Sequence, residues 1–154
     1  ETPSMKSFVM SSQRYLRLLR ESPAVHAADI YITEIDKARL RSLVELDRGS
    51  EVFELEHEIE RAIVVDPWNV AEDVVTMNSR ALLQVDDEEL EVALVYPEDA
   101  DDRAGKLSVC SGIGTAILGY KAGDAFSWRI PDRTCHIRIE KVLYQPEAAG
   151  DFHL

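Results

Sequence analysis

Hydrophobic positions follow two different periods along the chain, and the period changes near residue 66. Over residues 36–46, apolar side chains recur every three or four positions, which places them on one side of a helix. A second stripe with the same spacing is formed by Val52, Leu55, Ile59 and Ala62 with Ile63. A turn at 46–50 separates the stripes, so the pattern predicts a short antiparallel hairpin, with Thr33 or Asp36 capping its first helix and Ser50 its second. A short strand at 29–33 precedes this hairpin.

The second half of the chain alternates between apolar and polar residues, as strands with one buried face do. The alternating runs are residues 74–77, 81–85, 90–96, 107–110, 125–130 and 134–144. One helical segment at 113–118, closed by Gly119, interrupts them. The sequence therefore predicts an α+β fold with an arm at 1–28, a helical hairpin at 29–66 and a mainly antiparallel sheet with one short helix at 67–154.

Charge is distributed unevenly. The 154 residues include 17 Lys and Arg against 29 Asp and Glu, a formal net charge of −12, which disfavours direct nucleic-acid binding. Residues 1–28 differ, because four basic residues outnumber two acidic ones and give this arm a charge of +2. The arm also carries an aromatic and leucine stripe. This pattern leaves open whether the arm packs on the body, on a second copy, on an acidic partner or on a membrane surface.

The compartment is indicated by what the sequence lacks. No apolar run approaches the ~20 residues of a membrane span, so we expect no membrane insertion. Cys110 and Cys135 form neither a disulfide framework nor a CxxC metal pair, and no secretory signal is visible. These features favour a reducing cytoplasm.

Motifs that could carry catalysis are incomplete. His57-Glu58 begins like a helical zinc-protease motif, but Arg61 stands where the second histidine ligand is required, so we expect a solvated helix face. Cys135 and His136 cannot activate each other, because adjacent strand residues point to opposite faces. We predict that the protein is not an enzyme and has no catalytic residue, metal or cofactor.

The second half contains a series of motifs in a characteristic order. They are Val74-Val75-Thr76-Met77-Asn78-Ser79-Arg80, Leu94-Val95-Tyr96-Pro97, Leu107-Ser108-Val109, Gly112-x-Gly114-x-Ala116-x-Leu118-Gly119 with Gly123-Asp124, and Tyr144-Gln145-Pro146-Glu147-Ala148-Ala149-Gly150-Asp151-Phe152. With these motifs the chain closely resembles the regulator of nucleoside diphosphate kinase family, which is similar to the GreA/GreB transcript-cleavage factors. The likeness covers about residues 29–154 and leaves the arm outside.

The resemblance implies a fold and a partner. It implies that the N-terminal helical hairpin is joined to a C-terminal FKBP-like domain, which binds RNA polymerase at the rim of the secondary channel. The implied contact residues are those of the loop and helix start at Cys110, Ser111, Gly112 and Ile113. Asn78 and Ser79 are expected to hold the neighbouring sheet edge. The oligomeric state is not indicated.

The length of the hairpin limits what it can reach. In the cleavage factors, a much longer coiled coil carries acidic residues through the channel to the catalytic metal. Here helices of about 11–13 residues at ~1.5 Å per residue give a hairpin of about 16–20 Å. Asp47, Arg48 and Glu51, near the tip, are therefore too far from the chemistry. We predict a protein that competes with Gre-type factors at the channel entrance without stimulating transcript cleavage.

Two alternative functions remain. The FKBP-like fold suggests a prolyl isomerase, with Trp68 and Trp128 as floors of a proline pocket, although core packing explains each tryptophan more simply. The family name suggests an interaction protein that acts on another partner, such as nucleoside diphosphate kinase.

Overall fold

The computed structural model describes residues 29–46, 53–130 and 132–154. The predictions for the basic arm at 1–28 and for the tip residues Asp47, Arg48 and Glu51 lie outside this part of the chain, as does the predicted cap at Ser50.

The N-terminal part of the described chain consists of two strands and two helices. They are β1 (Tyr31–Thr33), α1 (Glu34–Leu46), α2 (Phe53–Arg61) and β2 (Ile63–Val65). Thr33 caps α1, because its hydroxyl oxygen accepts a hydrogen bond from the Asp36 amide at 3.1 Å. The two helices contact each other through an ion pair of 3.0 Å between Arg41 and Glu60. The antiparallel hairpin arrangement stays a prediction.

The end of the second helix differs from the prediction. Ile63 was expected to continue the apolar stripe of that helix, but α2 ends at Arg61, and Ile63 lies opposite Tyr31 in a parallel pairing of β2 with β1. The Ile63 amide donates to the Ile30 carbonyl at 2.9 Å. Three consecutive β-branched residues favour this extended conformation over another helical turn.

The C-terminal part is built around a five-stranded sheet. Its elements are β3 (Arg80–Val85), β4 (Glu88–Val95), β5 (Lys106–Ser108), α3 (Gly112–Ile117), β6 (Ala125–Ile130), β7 (Arg133–Tyr144) and α4 (Pro146–Ala149). The strand order is β5-β4-β3-β7-β6, and every pairing is antiparallel except that of β4 with β5. The prediction of a mixed fold with a mainly antiparallel sheet and a short helix near residues 113–118 is confirmed.

Two details of the sheet region were wrong. Residues 74–77 do not form a strand of the sheet, and there only Val74 makes an isolated bridge, to Lys121. The closing helix α4 was not predicted, because four residues that begin with proline are too short to show a period.

One hydrophobic core joins the two parts. Ile30, Leu40 and Ile59 from the N-terminal part are buried in the same cluster as residues of the sheet and α3. Gly119 permits this packing, because a Cβ there would lie 2.7 Å from the Ile30 Cβ and its φ is +81°. The Tyr31 amide donates to the Gly119 carbonyl at 3.2 Å, which attaches β1 to the loop after α3.

Candidate partner-binding site

The two segments expected to contact a partner lie at the same end of the sheet. Because β4 and β5 run parallel and β3 runs antiparallel to β4, the chain enters β3 where it leaves β4 and β5. The Ser79 carbonyl accepts from the Leu94 amide at 3.0 Å, and the Val109 amide donates to Val95 at 2.9 Å. We call residues 76–79, 96 and 109–113 the sheet end.

The loop from β5 into α3 is held by its own hydrogen bonds. The Ser111 hydroxyl oxygen accepts from the Gly114 amide at 3.1 Å and donates to the Ser108 carbonyl at 2.6 Å, so Ser111 caps the helix. The Thr115 hydroxyl donates to Val109 at 2.7 Å. Gly114 is required, because a Cβ there would lie 2.0 Å from the Ser108 carbonyl oxygen. The loop therefore presents one fixed shape.

The residues of this loop that were expected to bind a partner differ in how far they are buried. Ile113 is fully buried in the core, and Ser111 is 8% exposed. Cys110 and Gly112 are half-buried. The Ile113 side chain therefore packs among core residues, and the part that Ile113 plays in partner binding stays a prediction. The apolar sequence of α3, Gly-Ile-Gly-Thr-Ala-Ile, is a signal that could have indicated burial on every side.

The loop before β3 also contains one buried and one half-buried residue of the expected binding site. Ser79 is 1% exposed, and its hydroxyl oxygen accepts from the Thr76 amide at 2.9 Å, so its role is to shape the loop. Asn78 is half-buried and has φ of +66°, a left-handed conformation that asparagine tolerates better than most residues. Asn78 is therefore a partly accessible residue in a tight turn.

Asp36 connects α1 to the sheet end, although sequence reasoning identified it only as a possible cap. Asp36 is 2% exposed, and its carboxylate accepts a hydrogen bond from the Met77 amide at 3.1 Å. Burial raises the pKa of Asp36 to about 7, and the charge of Glu147 acts in the same direction. The hydrogen bonds from Met77 and Thr33 oppose this rise.

Further polar groups surround this carboxylate. The Thr76 hydroxyl donates to a Glu147 carboxylate oxygen at 2.5 Å. Burial raises the pKa of the Tyr96 hydroxyl, the charge of Asp36 raises it further, and Arg39 opposes the shift. Asp36 and Glu147 therefore form a polar cluster with the sheet-end residues Thr76 and Tyr96, and hydrogen bonds to Thr76 and Met77 attach this cluster to the sheet end.

Other motifs of the sequence have structural roles. Glu58 was expected on a solvated helix face, but it is 6% exposed and its carboxylate pairs with Arg61 at 2.7 Å. Cys135 is buried and His136 is exposed, which confirms that they point to opposite faces. Among residues 29–46, 53–130 and 132–154, no three His, Cys, Asp or Glu side chains come together in a way that could hold a metal. Within the same ranges, no helix is long and apolar enough to span a membrane.

The two tryptophans do not form the floor of an open pocket. Trp128 is 1% exposed in the core, as expected. Trp68 is 71% exposed on the turn Pro67–Asn69, so the expectation that it packs in the core was wrong. A groove of about 330 Å³ between α1 and β2 is lined by other residues: Glu34, Lys37, Ala38, Arg41 and Val64.

Comparison with known proteins identifies the class first. Residues 70–144 match the family described as "Transcription elongation factor, GreA/GreB, C-term", and residues 29–65 match "Rnk N-terminus". The chain is 37% identical over 131 residues to "Regulator of nucleoside diphosphate kinase" of Escherichia coli (strain K12), a match that covers 81% of this chain and 96% of the relative. The chain therefore belongs to the regulator of nucleoside diphosphate kinase family, which confirms the resemblance seen in its motifs.

Transcription factors are also similar to the chain. "Transcription elongation factor GreA" of Prosthecochloris aestuarii (strain DSM 271 / SK 413) is 33% identical over 98 residues, which cover 61% of each chain. The solved structure "Prokaryotic transcription elongation factor GreA/GreB from Nitrosomonas europaea" has a TM-score of 0.67 and 37% identity, and the match covers 77% of this chain and 100% of that one. These relatives are named as regulators or factors and not as enzymes, and the homology supports a regulator of this general type.

Proposed function

We propose that the protein is a non-enzymatic transcription regulator that binds RNA polymerase at the rim of the secondary channel through the sheet end. The observation that carries the proposal is the 37% identity to a GreA/GreB elongation factor structure that superimposes on 77% of the chain. In this proposal the C-terminal part is the FKBP-like docking domain, residues 67–154, and the polymerase is the partner.

The contact is made by the accessible groups of the sheet end. Asn78 and Cys110 supply side chains, and Gly112 supplies accessible backbone at the start of α3. Ser111 and Ile113 act indirectly, because their buried side chains hold the loop in place. A loop that is fixed before binding loses little conformational entropy on binding, which favours affinity from a small contact.

The N-terminal helices occupy the channel entrance without reaching the catalytic metal. The described part of helix α1 has 13 residues, which at 1.5 Å per residue is about 20 Å. The protein therefore competes with Gre-type factors for the rim and does not stimulate transcript cleavage. It makes no direct contact with nucleic acid, consistent with its net charge of −12.

A binding experiment tests the docking surface. We expect Cys110→Lys and Asn78→Gly to weaken binding to purified RNA polymerase by on the order of tenfold, because one adds a charge to the contact and the other removes a side chain while keeping the left-handed turn. Asp87→Lys, in the exposed turn between β3 and β4 at the opposite end of the sheet, is the control and should bind as the wild type does. Unchanged affinity in both sheet-end variants would contradict the assigned surface.

A second experiment tests the absence of cleavage. Halted elongation complexes should keep their RNA length when the protein is added, and the protein should reduce the cleavage stimulated by added GreA. Shortened RNA in the absence of GreA would contradict the limit on reach.

The name of the E. coli relative suggests one alternative partner, whose binding can be measured in the same way. Nucleoside diphosphate kinase should be tested as an alternative ligand of the full chain. Binding to the kinase that survives the Cys110→Lys change, together with no polymerase binding by the wild type, would support that second function and exclude the first.

A further inference from the structure

The five-stranded sheet has an open face, opposite to the one that packs on the core. Alternate residues of β3, β4 and β7, such as Leu83, Leu90 and Ile137, point into the core. The intervening residues point to the other face, where they are exposed or half-buried. We define this open face by its central side chains, which are Leu82 and Gln84 on β3, Glu89 and Glu91 on β4, and Arg138 and Lys141 on β7.

Strand register arranges the charges of this face in rows. Gln84 lies opposite Arg138 on one side and Glu89 on the other. In the next row, Leu82 lies between Lys141 on β7 and Glu91 on β4. Each row therefore runs from a cation on β7 through a neutral residue on β3 to an acid on β4. Neighbouring strands are about 4.8 Å apart, so the opposite charges of a row lie about 10 Å apart with β3 between them.

This arrangement is complementary to itself. A two-fold axis that runs parallel to β3 in front of the face places β3 of one copy against β3 of the other, and β4 of one copy against β7 of the other. Because residues of one row share the same height along the strands, Arg138 then faces the partner's Glu89. In the next row, Lys141 faces the partner's Glu91. An isologous interface requires this kind of match, in which residue i contacts j and j contacts i.

The charge of the face also favours a second copy as its occupant. The chain carries a net charge of −12, so two copies repel each other over most of their surfaces. The four charges of the two rows sum to zero, so these rows can approach those of a second copy without net repulsion. Arg80, the next outward-facing residue of β3, carries a further positive charge and lies over the Tyr144 ring, 5.8 Å from its centroid. Face-to-face sheets pack about 10 Å apart, a gap that paired arginine and glutamate side chains can bridge.

We propose that the open face of the sheet is the interface of a homodimer with two-fold symmetry, held by reciprocal Arg138–Glu89 and Lys141–Glu91 pairs. The face has few apolar side chains, so the dimer is of the weak, concentration-dependent kind. This surface is separate from the sheet end, and the proposal does not depend on polymerase binding.

Sedimentation velocity of the full chain over a concentration series tests the proposal. The wild-type mass should rise from 17.4 kDa towards twice that value as concentration increases. Arg138→Glu and Glu89→Arg should each weaken association by on the order of tenfold, because two-fold symmetry turns every single reversal into two like-charge contacts. The combined variant, Arg138→Glu with Glu89→Arg, should restore association, because the pairs are re-formed with exchanged signs.

Arg129→Glu is the matched control, since Arg129 is an exposed cation on the edge strand β6 and lies outside the two rows. It should leave association unchanged. Circular dichroism of each variant checks that the sheet is intact, which is expected because the substituted side chains lie on the exposed side. A wild type that stays monomeric at all concentrations would overturn the proposal. So would a dimer that is unaffected by the single reversals, or a double variant that fails to recover.

Discussion

The buried carboxylate of Asp36 makes the stability of the protein depend on pH. Its pKa is raised from 3.8 to about 7 in the folded chain, first by burial and then by the charge of Glu147. Because the folded state holds the proton more tightly than the unfolded chain does, this group stabilises the fold at low pH. That contribution is lost as the pH rises from about 4 through about 7.

Replacement of Asp36 by asparagine isolates this contribution. The side-chain amide would keep an oxygen that can accept from the Met77 amide, but it has no proton to lose. Between pH 5 and pH 8 the wild type should lose about 3 kcal/mol of stabilisation at Asp36, because over most of this range the unfolded chain releases the proton and the folded chain keeps it. The free energy of unfolding of Asp36→Asn minus that of the wild type should therefore rise by about 3 kcal/mol over this range.

Urea denaturation at four or five pH values measures the difference, and taking the difference cancels the titration of the other acids. Glu98→Gln, at an exposed position, is the control and should give a difference within about 0.5 kcal/mol at every pH. Glu147→Gln should move the pH dependence of the wild type towards lower pH, since the Glu147 charge opposes ionisation of Asp36. A difference curve for Asp36→Asn that is flat from pH 5 to pH 8 would refute the reasoning.

Four further substitutions test the packing. Ile113→Asp should cost at least about 3 kcal/mol of unfolding free energy in urea, because it buries a charge in the core; a folded, stable variant would contradict the burial of this side chain. Gly119→Ala should cost about 2 kcal/mol or more, because the left-handed backbone and the Ile30 contact both oppose a Cβ, and a neutral effect would contradict the close approach of β1. Trp68→Ala should change the stability by less than about 0.5 kcal/mol and remove the solvent-exposed component of the fluorescence, whereas Trp128→Ala should cost about 3–5 kcal/mol. Similar costs for the two tryptophans would contradict their different burial.

The regular elements could be predicted because their causes are local. A three- and four-residue apolar period predicted α1, and alternation predicted the strands of the sheet to within a few residues. Gly119 was correctly placed at the end of the short helix, and its φ of +81° agrees with that role. The family was predicted from motifs that the comparisons confirm.

The pairing of β2 with β1 could not be predicted in this way. Ile63 continues the apolar stripe of the preceding helix, and the choice between helix and strand depends on a partner strand about 30 positions away, at Tyr31–Thr33. The β-branched residues favour an extended conformation, but only this non-local pairing selects it over the helical stripe.

The candidate site also separates what the sequence can predict from what depends on the tertiary structure. The amino-acid sequence by itself determined which segments carry the motifs of the sheet end, because those motifs are contiguous in the chain. Only the tertiary structure decided which of these residues are accessible: Ile113 is buried in the core, while Cys110 and Asn78 are half-buried. Likewise, nothing in the sequence distinguishes Asp36 from any other acid in the first turn of a helix. Its burial and its bond to the Met77 amide, 41 positions along the chain, exist only once α1 packs on the sheet end. Burial is a property of segments brought together from distant positions, and a period within one segment cannot report it.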